Sequence, residues 1–117
     1  NQHADLGDIY FDLGLLAEAV EEFRKAVHLG PKFADLRTKL AVALREKGDF
    51  DAALVEFQEA LKVNAKYVPA YLHLGVTYYM HGLIDRAVLV WKTALKASPN
   101  DKSVRVYLEF IKELQKK

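Results

Sequence analysis

One order of residue types returns three times along the chain at a constant spacing of 34 residues. Each copy carries a leucine, then a glycine, then an aromatic residue at matching places: Leu6, Gly14 and Phe23; Leu40, Gly48 and Phe57; Leu74, Gly82 and Trp91. A period of about 34 residues, with apolar residues every three or four positions, is typical of antiparallel helix pairs stacked in a row. The sequence therefore predicts an all-α repeat fold, in which neighbouring units share one strip of core.

The third copy carries the fullest motif, which reads Tyr71-x-x-Leu74-Gly75-x-x-Tyr78 followed by Ala87, Trp91 and Pro99. This motif resembles the tetratricopeptide repeat (TPR), whose pattern is an aromatic residue, Leu-Gly, Tyr, Ala, an aromatic residue and a closing Pro. The first copy matches nearly as well. The middle copy keeps the spacing but departs at four places, where it has Arg37, Ala41, Leu44 and Ala65. The resemblance covers essentially the whole chain.

The resemblance implies a right-handed α-solenoid of three TPR helix-turn-helix pairs with a seventh, capping helix. We expect a single domain over residues 1–117, with repeats at 1–33, 34–67 and 68–101 and the capping helix at 102–117. In that helix Val104, Leu108, Ile111 and Leu114 are expected to face the third copy. Glu109 and Lys112 stand where the third copy has Gly75 and Tyr78, and such charges would keep a further pair from docking. The carboxyl end is therefore predicted to be a true end.

The first helix is predicted to bury a stripe formed by Leu6, Ile9, Tyr10 and Leu13. Gly7 is expected to allow close approach of the paired helix, and Gly14 to end the helix in a left-handed conformation. The face that an earlier repeat would cover carries Gln2, Asp5 and Asp12, with Ile9 as its apolar residue. This polarity predicts an end of the solenoid there too.

The charge balance and composition of the chain argue against several classes of partner and chemistry. The chain has 17 Lys and Arg against 16 Asp and Glu, for a formal net charge of +1. This balance argues against nucleic acid or anionic lipid as partner, because both require clustered basic charge. No Cys is present, which excludes disulfides and thiol chemistry. No apolar run is long enough to insert into a membrane, and no signal-peptide pattern begins the chain. We expect a cytoplasmic protein, although the start inside a repeat also fits a fragment whose targeting segment is missing.

In the TPR family the first helices of the pairs line a concave groove. The places that resemble groove-lining places, and that we predict to contact a partner, are Asp8, Phe11, Asp12, Thr38, Val42, Arg45, Glu46, Leu72, Val76, Tyr79, Met80 and Phe110. Their amino-terminal half is acidic and mixed, and their carboxyl-terminal half is apolar and aromatic. Such a strip suits a helix or an extended peptide of another protein. The alternative is that Val106 and Phe110 pack onto the third copy and leave no open surface.

Other readings of the same residues stay open. The acids Asp5, Asp8 and Asp12 share one side of the first helix, where they could receive a basic segment or simply be solvated. Lys32-Phe33 and Lys66-Tyr67 recur at the junctions between copies, and we expect these aromatic residues to pack between repeats. Self-assembly of the chain into a scaffold, through its ends or its groove, is the alternative function.

One TPR activity can be tested by matching residues. Members that hold the carboxylate tail of a chaperone place Lys, and one turn later Asn, on the first helix. Ala4 and Asp8 occupy those places here. Because an aspartate would repel a carboxylate, we predict no binding of a chaperone C-terminal tail.

Catalysis has little support in the sequence. His73 and His81 lie eight residues apart, with Asp85 nearby, but no ligand pair has the tighter spacing of known zinc motifs. There is no glycine-rich phosphate loop. We therefore predict a non-catalytic protein with no metal and no cofactor.

Overall fold

The structure, a computed structural model, describes residues 1–116; Lys117, the last residue of the predicted capping helix, lies outside the described residues. Within the described part the chain forms seven helices and no strand: α1 (Gln2–Asp12), α2 (Leu16–Leu29), α3 (Ala34–Lys47), α4 (Phe50–Val63), α5 (Val68–Met80), α6 (Ile84–Ala97) and α7 (Lys102–Gln115). The predicted all-α arrangement of three helix pairs and a seventh helix is confirmed.

The helices pack as pairs in a row. α1 packs on α2, α3 on α4 and α5 on α6, while α7 packs on α6. Between the pairs, α3 contacts α2, and α5 contacts both α3 and α4. The core is thus a strip that continues from pair to pair, with the repeated aromatic residues Phe23, Phe57 and Trp91 all but fully buried.

In the first and third helix pairs, a glycine on one helix allows an aromatic side chain of the paired helix to approach its backbone closely. A Cβ atom on Gly7 would lie 2.6 Å from Cε1 of Phe23, and one on Gly75 would lie 2.1 Å from Nε1 of Trp91. At the end of the first helix, Gly14 has a φ angle of +77°. Both predictions for Gly7 and Gly14 are therefore confirmed.

The predicted buried stripe of α1 is wrong for three of its four residues. Leu6, Ile9 and Leu13 are exposed, with Ile9 55% and Leu13 67% exposed, whereas Tyr10 is half-buried. The residues one period later, Leu40 and Ala43, are buried because α3 has the preceding helix pair beside it. No described helix covers this face of α1, so its apolar side chains lie at the surface. The face is consequently more apolar than its Asp5 and Asp12 suggested.

Two smaller expectations also change. Tyr67 packs beside Ala34, Ala60 and Ala70 as predicted for the junctions, but Phe33 is 60% exposed, with its ring against Gly30 of the same junction. On α7, Val104 and Ile111 are buried against the third pair, whereas Leu114 is exposed. The contact of α7 therefore ends one turn earlier than its apolar pattern predicted.

Candidate functional site

The predicted groove residues lie at different depths. Six are half-buried: Asp8, Phe11, Val42, Leu72, Val76 and Tyr79. Four are exposed: Asp12, Glu46, Met80 and Phe110. The remaining two, Thr38 and Arg45, have side chains that are buried or nearly so. Most of the predicted set is thus accessible at least in part, but it divides into two regions of different chemistry.

The carboxyl-terminal region is apolar. Val106, Phe110 and Leu114 follow one another at four-residue spacing on α7, so they share one face of the helix. Val106 is 65% exposed and Phe110 50% exposed, so open surface remains there even though Phe110 contacts the third copy. The rings of Tyr79 and Phe110 meet edge to face at 6.1 Å between centroids and join α5 to α7. We call Met80, Val106, Phe110 and Leu114 the apolar patch.

Arg45 connects two repeats and presents little charge to the groove. Its Nη1 donates to the carbonyl oxygen of His73 and to Oγ1 of Thr77, both at 3.3 Å, and its Nη2 donates to Oε1 of Glu46 at 3.1 Å. The side chain is 7% exposed. The buried hydroxyl of Thr38 donates to the carbonyl oxygen of Ala34 at 2.8 Å. Both predicted polar contacts are therefore already occupied within the chain.

The amino-terminal region contains a cavity of about 260 Å³ between α1, α3 and α5. We call it the inner pocket. Its lining includes the charged residues Asp8, Asp35 and Lys39 and the aromatic residues Phe11 and Tyr67. Three successive first helices therefore contribute to one concavity, which is the arrangement that the TPR resemblance implied for a groove.

An ion pair spans the inner pocket. Nζ of Lys39 on α3 lies 2.7 Å from Oδ2 and 2.9 Å from Oδ1 of Asp8 on α1. Asp35 has no ion-pair partner within residues 1–116. The three charged side chains carry two negative charges and one positive charge, so the pocket has a net negative charge at neutral pH.

Burial shifts the pKa values of the two other ionisable groups that line the pocket, His73 and Tyr67. It lowers the pKa of His73 from 6.5, and the positive charge of Arg45 adds to that shift against the opposing charge of Glu46. Burial likewise raises the pKa of Tyr67 from 10.0, with a further contribution from the negative charge of Asp35. Both side chains are consequently neutral at pH 7 and leave the net charge of the pocket unchanged.

Lys39 was not predicted as a site residue, and neither Asp35 nor Tyr67 was among the residues predicted to contact a partner. Lys39 is 31 residues from Asp8, which is one helical turn short of the 34-residue period. The ring contact between Tyr79 and Phe110 has the same separation, 110 − 79 = 31. Searching for complementary residues at this separation would have identified the Asp8–Lys39 pair.

The histidine considered as a metal ligand has other contacts. The ring of His81 lies 3.7 Å from that of Phe50, centroid to centroid, and its Nδ1 is 3.1 Å from the carbonyl oxygen of Thr77. In residues 1–116 no group of three or more His, Cys, Asp or Glu side chains is arranged to hold a metal ion. Across the same residues no helix combines the length and apolar character needed to cross a membrane.

A protein-family model described as TPR repeat matches residues 7–48 and, in a second copy, residues 42–82. The two matches together cover 7–82, which is more than half of the chain. A search of curated protein sequences found no significant match.

Solved TPR domains have the same arrangement of helices. The first TPR domain of Spaghetti (RPAP3), bound to the HSP90 peptide SRMEEVD, is 23% identical with a TM-score of 0.82, over 98% of this chain and 91% of that chain. The second TPR domain of human RPAP3, in complex with the HSP70 peptide SGPTIEEVD, is 22% identical with a TM-score of 0.80, over 94% of this chain and 92% of that one. MamA is 26% identical with a TM-score of 0.80, over 97% of this chain and 66% of that chain. These similarities confirm the solenoid fold.

Proposed function

The chain belongs to the TPR family, and from this premise we propose that it is a non-catalytic protein-binding module whose concave groove holds a helix or an extended segment of a partner. The observation that carries the proposal is the apolar patch. Four large apolar side chains on α5 and α7 are each at least 42% exposed, and the charged inner pocket is lined by α1, α3 and α5. An apolar strip next to charged groups suits an amphipathic segment. The peptide complexes of the RPAP3 domains support the same type of role.

A selection experiment tests this proposal. Peptides are selected from a random dodecapeptide library on the wild-type chain, and their affinities are measured by isothermal titration calorimetry. We expect the double substitution Met80→Asp/Val106→Asp to weaken binding about tenfold or more, because burying a Met or Val side chain contributes about 1.5–3 kcal/mol and a carboxylate in its place would lose its hydration. These two side chains are 53% and 65% exposed, so the variant should remain folded. Tyr79 is less suitable because it is half-buried against Phe110.

The matched control is Leu89→Asp on α6, where the leucine is 66% exposed but outside the groove-lining helices. It should leave peptide affinity unchanged. If selected peptides bind the patch variant as tightly as the wild type, or if Leu89→Asp abolishes binding, the groove is not the binding site. A selection that enriches no binding peptide would also count against the proposal.

The charge of the inner pocket favours a partner without an acidic tail. Asp8 and Asp35 outnumber the single Lys39, whose Nζ is already held by Asp8. We therefore propose that the chain does not bind a chaperone C-terminal carboxylate, unlike the RPAP3 domains. Titration with the peptide SRMEEVD should give no saturable signal at hundreds of micromolar. A micromolar dissociation constant would contradict this part of the proposal.

Self-assembly is the second candidate function, and the exposed apolar face of α1 favours it. Leu6, Ile9 and Leu13 lie on this face, and a second copy of the chain could cover it in an end-to-end contact. Sedimentation equilibrium should then show a mass that rises with concentration, and Ile9→Asp should abolish the rise while Leu89→Asp should not. A monomeric wild type at several hundred micromolar would rule this function out.

A cytoplasmic location and the absence of catalysis remain predictions. Fluorescence microscopy of the tagged full-length protein tests the first. Differential scanning fluorimetry with divalent metals and nucleotides tests the second, because a ligand that binds the folded state raises the melting temperature.

A further inference from the structure

We propose that the inner pocket is a binding site for a single basic side chain, in the first instance an arginine of the partner segment. This inference rests on the proposed function and adds to it the chemistry of one subsite. The apolar patch would hold the apolar residues of the segment, and the inner pocket would hold the cationic residue and thereby set direction along the groove.

The charge of the pocket favours a cation over an anion. Lys39 is held by both carboxylate oxygens of Asp8, at 2.7 and 2.9 Å. The carboxylate of Asp35 has no such partner among residues 1–116 and faces the same cavity. A guanidinium group that enters would form the ion pair that Asp35 lacks, whereas a carboxylate would add a third negative charge.

Two cationic groups at the pocket, Arg45 and His73, do not supply that missing charge. Arg45 donates to His73, Thr77 and Glu46 and is nearly buried. His73 is neutral at pH 7 because burial lowers its pKa. Lys32 lines an adjacent concavity that shares Asp35 and Tyr67 with the pocket, but it forms no ion pair with Asp35 within residues 1–116. Among the side chains that line the pocket itself, Asp8 and Asp35 outnumber Lys39.

The walls of the pocket suit an arginine side chain. Phe11 and Tyr67 supply aromatic walls. A guanidinium plane stacks on aromatic rings while its N–H groups pair with a carboxylate, so arginine uses both features of the pocket better than lysine does.

The test uses three small probes and the intact chain. N-acetyl-arginine methylamide, N-acetyl-glutamate methylamide and N-acetyl-leucine methylamide are titrated separately into ¹⁵N-labelled protein, and amide chemical shifts are followed by NMR. We expect saturable shifts at Asp8, Asp35 and Tyr67 with the arginine probe, and no saturable shifts there with the other two. Added salt should weaken the arginine effect, because the attraction is ionic and partly exposed.

Two substitutions in the pocket should act in opposite directions. Asp35→Asn should weaken the arginine probe about two- to fivefold, the upper part of the range expected for an exposed ion pair. Lys39→Gln should strengthen it, because Asp8 then becomes free to pair with the probe. Asp51→Asn is the matched control, since Asp51 is also an exposed acid in the first turn of its helix and lies outside the pocket.

Each other outcome would overturn the inference. The inference is overturned if the arginine probe gives no saturable shifts, or if the glutamate probe binds more strongly than the arginine probe. It is also overturned if the leucine probe gives equal shifts, or if Asp35→Asn leaves the affinity for the arginine probe unchanged. Failure of this subsite is distinguishable from failure of the proposed function. Selected peptides that still depend on Met80 and Val106 would preserve peptide binding in the groove while removing the arginine pocket from it.

Discussion

Gly75→Ala tests how tightly the third helix pair is packed. Two effects oppose each other at this position. Alanine is better than glycine within a helix by about 1 kcal/mol. The added methyl group, however, would lie 2.1 Å from Nε1, 2.4 Å from Cε2 and 2.7 Å from Cδ1 of Trp91. All three distances are far shorter than the roughly 3.5 Å at which non-bonded heavy atoms normally pack.

The indole has little freedom to move away. Trp91 is 1% exposed, its Nε1 donates to the carbonyl oxygen of Leu72 at 3.3 Å, and its ring stacks on Tyr107 at 5.2 Å between centroids. We therefore take the upper part of the usual overpacking cost, about 3 kcal/mol. After subtraction of the gain in helix propensity, the net loss is about 2 kcal/mol. For a chain of this length that loss lowers the melting temperature by about 8 °C.

The assay is urea and thermal unfolding followed by circular dichroism, arranged as a double-mutant cycle. The choice of substitutions follows the second copy, in which Ala41 and Phe57 stand at the places of Gly75 and Trp91 and are buried together. The double variant Gly75→Ala/Trp91→Phe should therefore be more stable than the sum of its single substitutions predicts, by about 2 kcal/mol. A Gly75→Ala chain as stable as the wild type, or a cycle without coupling, would refute the reasoning that steric contact with the indole fixes glycine here.

Three further substitutions test local features. Gly82 has a φ angle of +75°, and a methyl group added there would meet no other atom within 4 Å, so Gly82→Ala should cost about 1–2 kcal/mol from backbone strain alone, read by urea unfolding. Asp101 accepts from the amide of Val104 at 3.0 Å, so Asp101→Ala should cost about 1 kcal/mol and Asp101→Asn less. Burial, then Arg45, lowers the pKa of His73 from 6.5. The folded chain thus binds this proton more weakly than the unfolded chain, and stability declines as the pH falls below about 6.5. His73→Gln should flatten that decline in urea midpoints measured from about pH 7 to 5; parallel profiles would contradict it.

The sequence predicted the fold well because the same pattern of packing residues recurs in all three repeats. An aromatic residue opposite a glycine or alanine recurs in every pair, as Phe23 opposite Gly7 and Trp91 opposite Gly75 illustrate. Periodicity alone could not assign the exposed face of α1, since Ile9 and Leu13 have the spacing of buried residues. Whether an apolar stripe is buried depends on which element lies beside it, and spacing within one helix does not contain that information.

The candidate site was only half predictable for a related reason. Comparison at 34 residues aligns equivalent places, and it predicted an acidic and mixed amino-terminal half and an apolar, aromatic carboxyl-terminal half. Two contacts between successive inner helices instead join residues 31 apart, Asp8 with Lys39 and Tyr79 with Phe110. Arg45 likewise contacts His73 and Thr77, which lie 28 and 32 residues further on. Residues three or four apart share a helix face, so these contacts fall short of the 34-residue period by up to two turns. A comparison at both separations would have paired Lys39 with Asp8. It would also have offered Lys66 to Asp35, a pair that the structure does not form within residues 1–116.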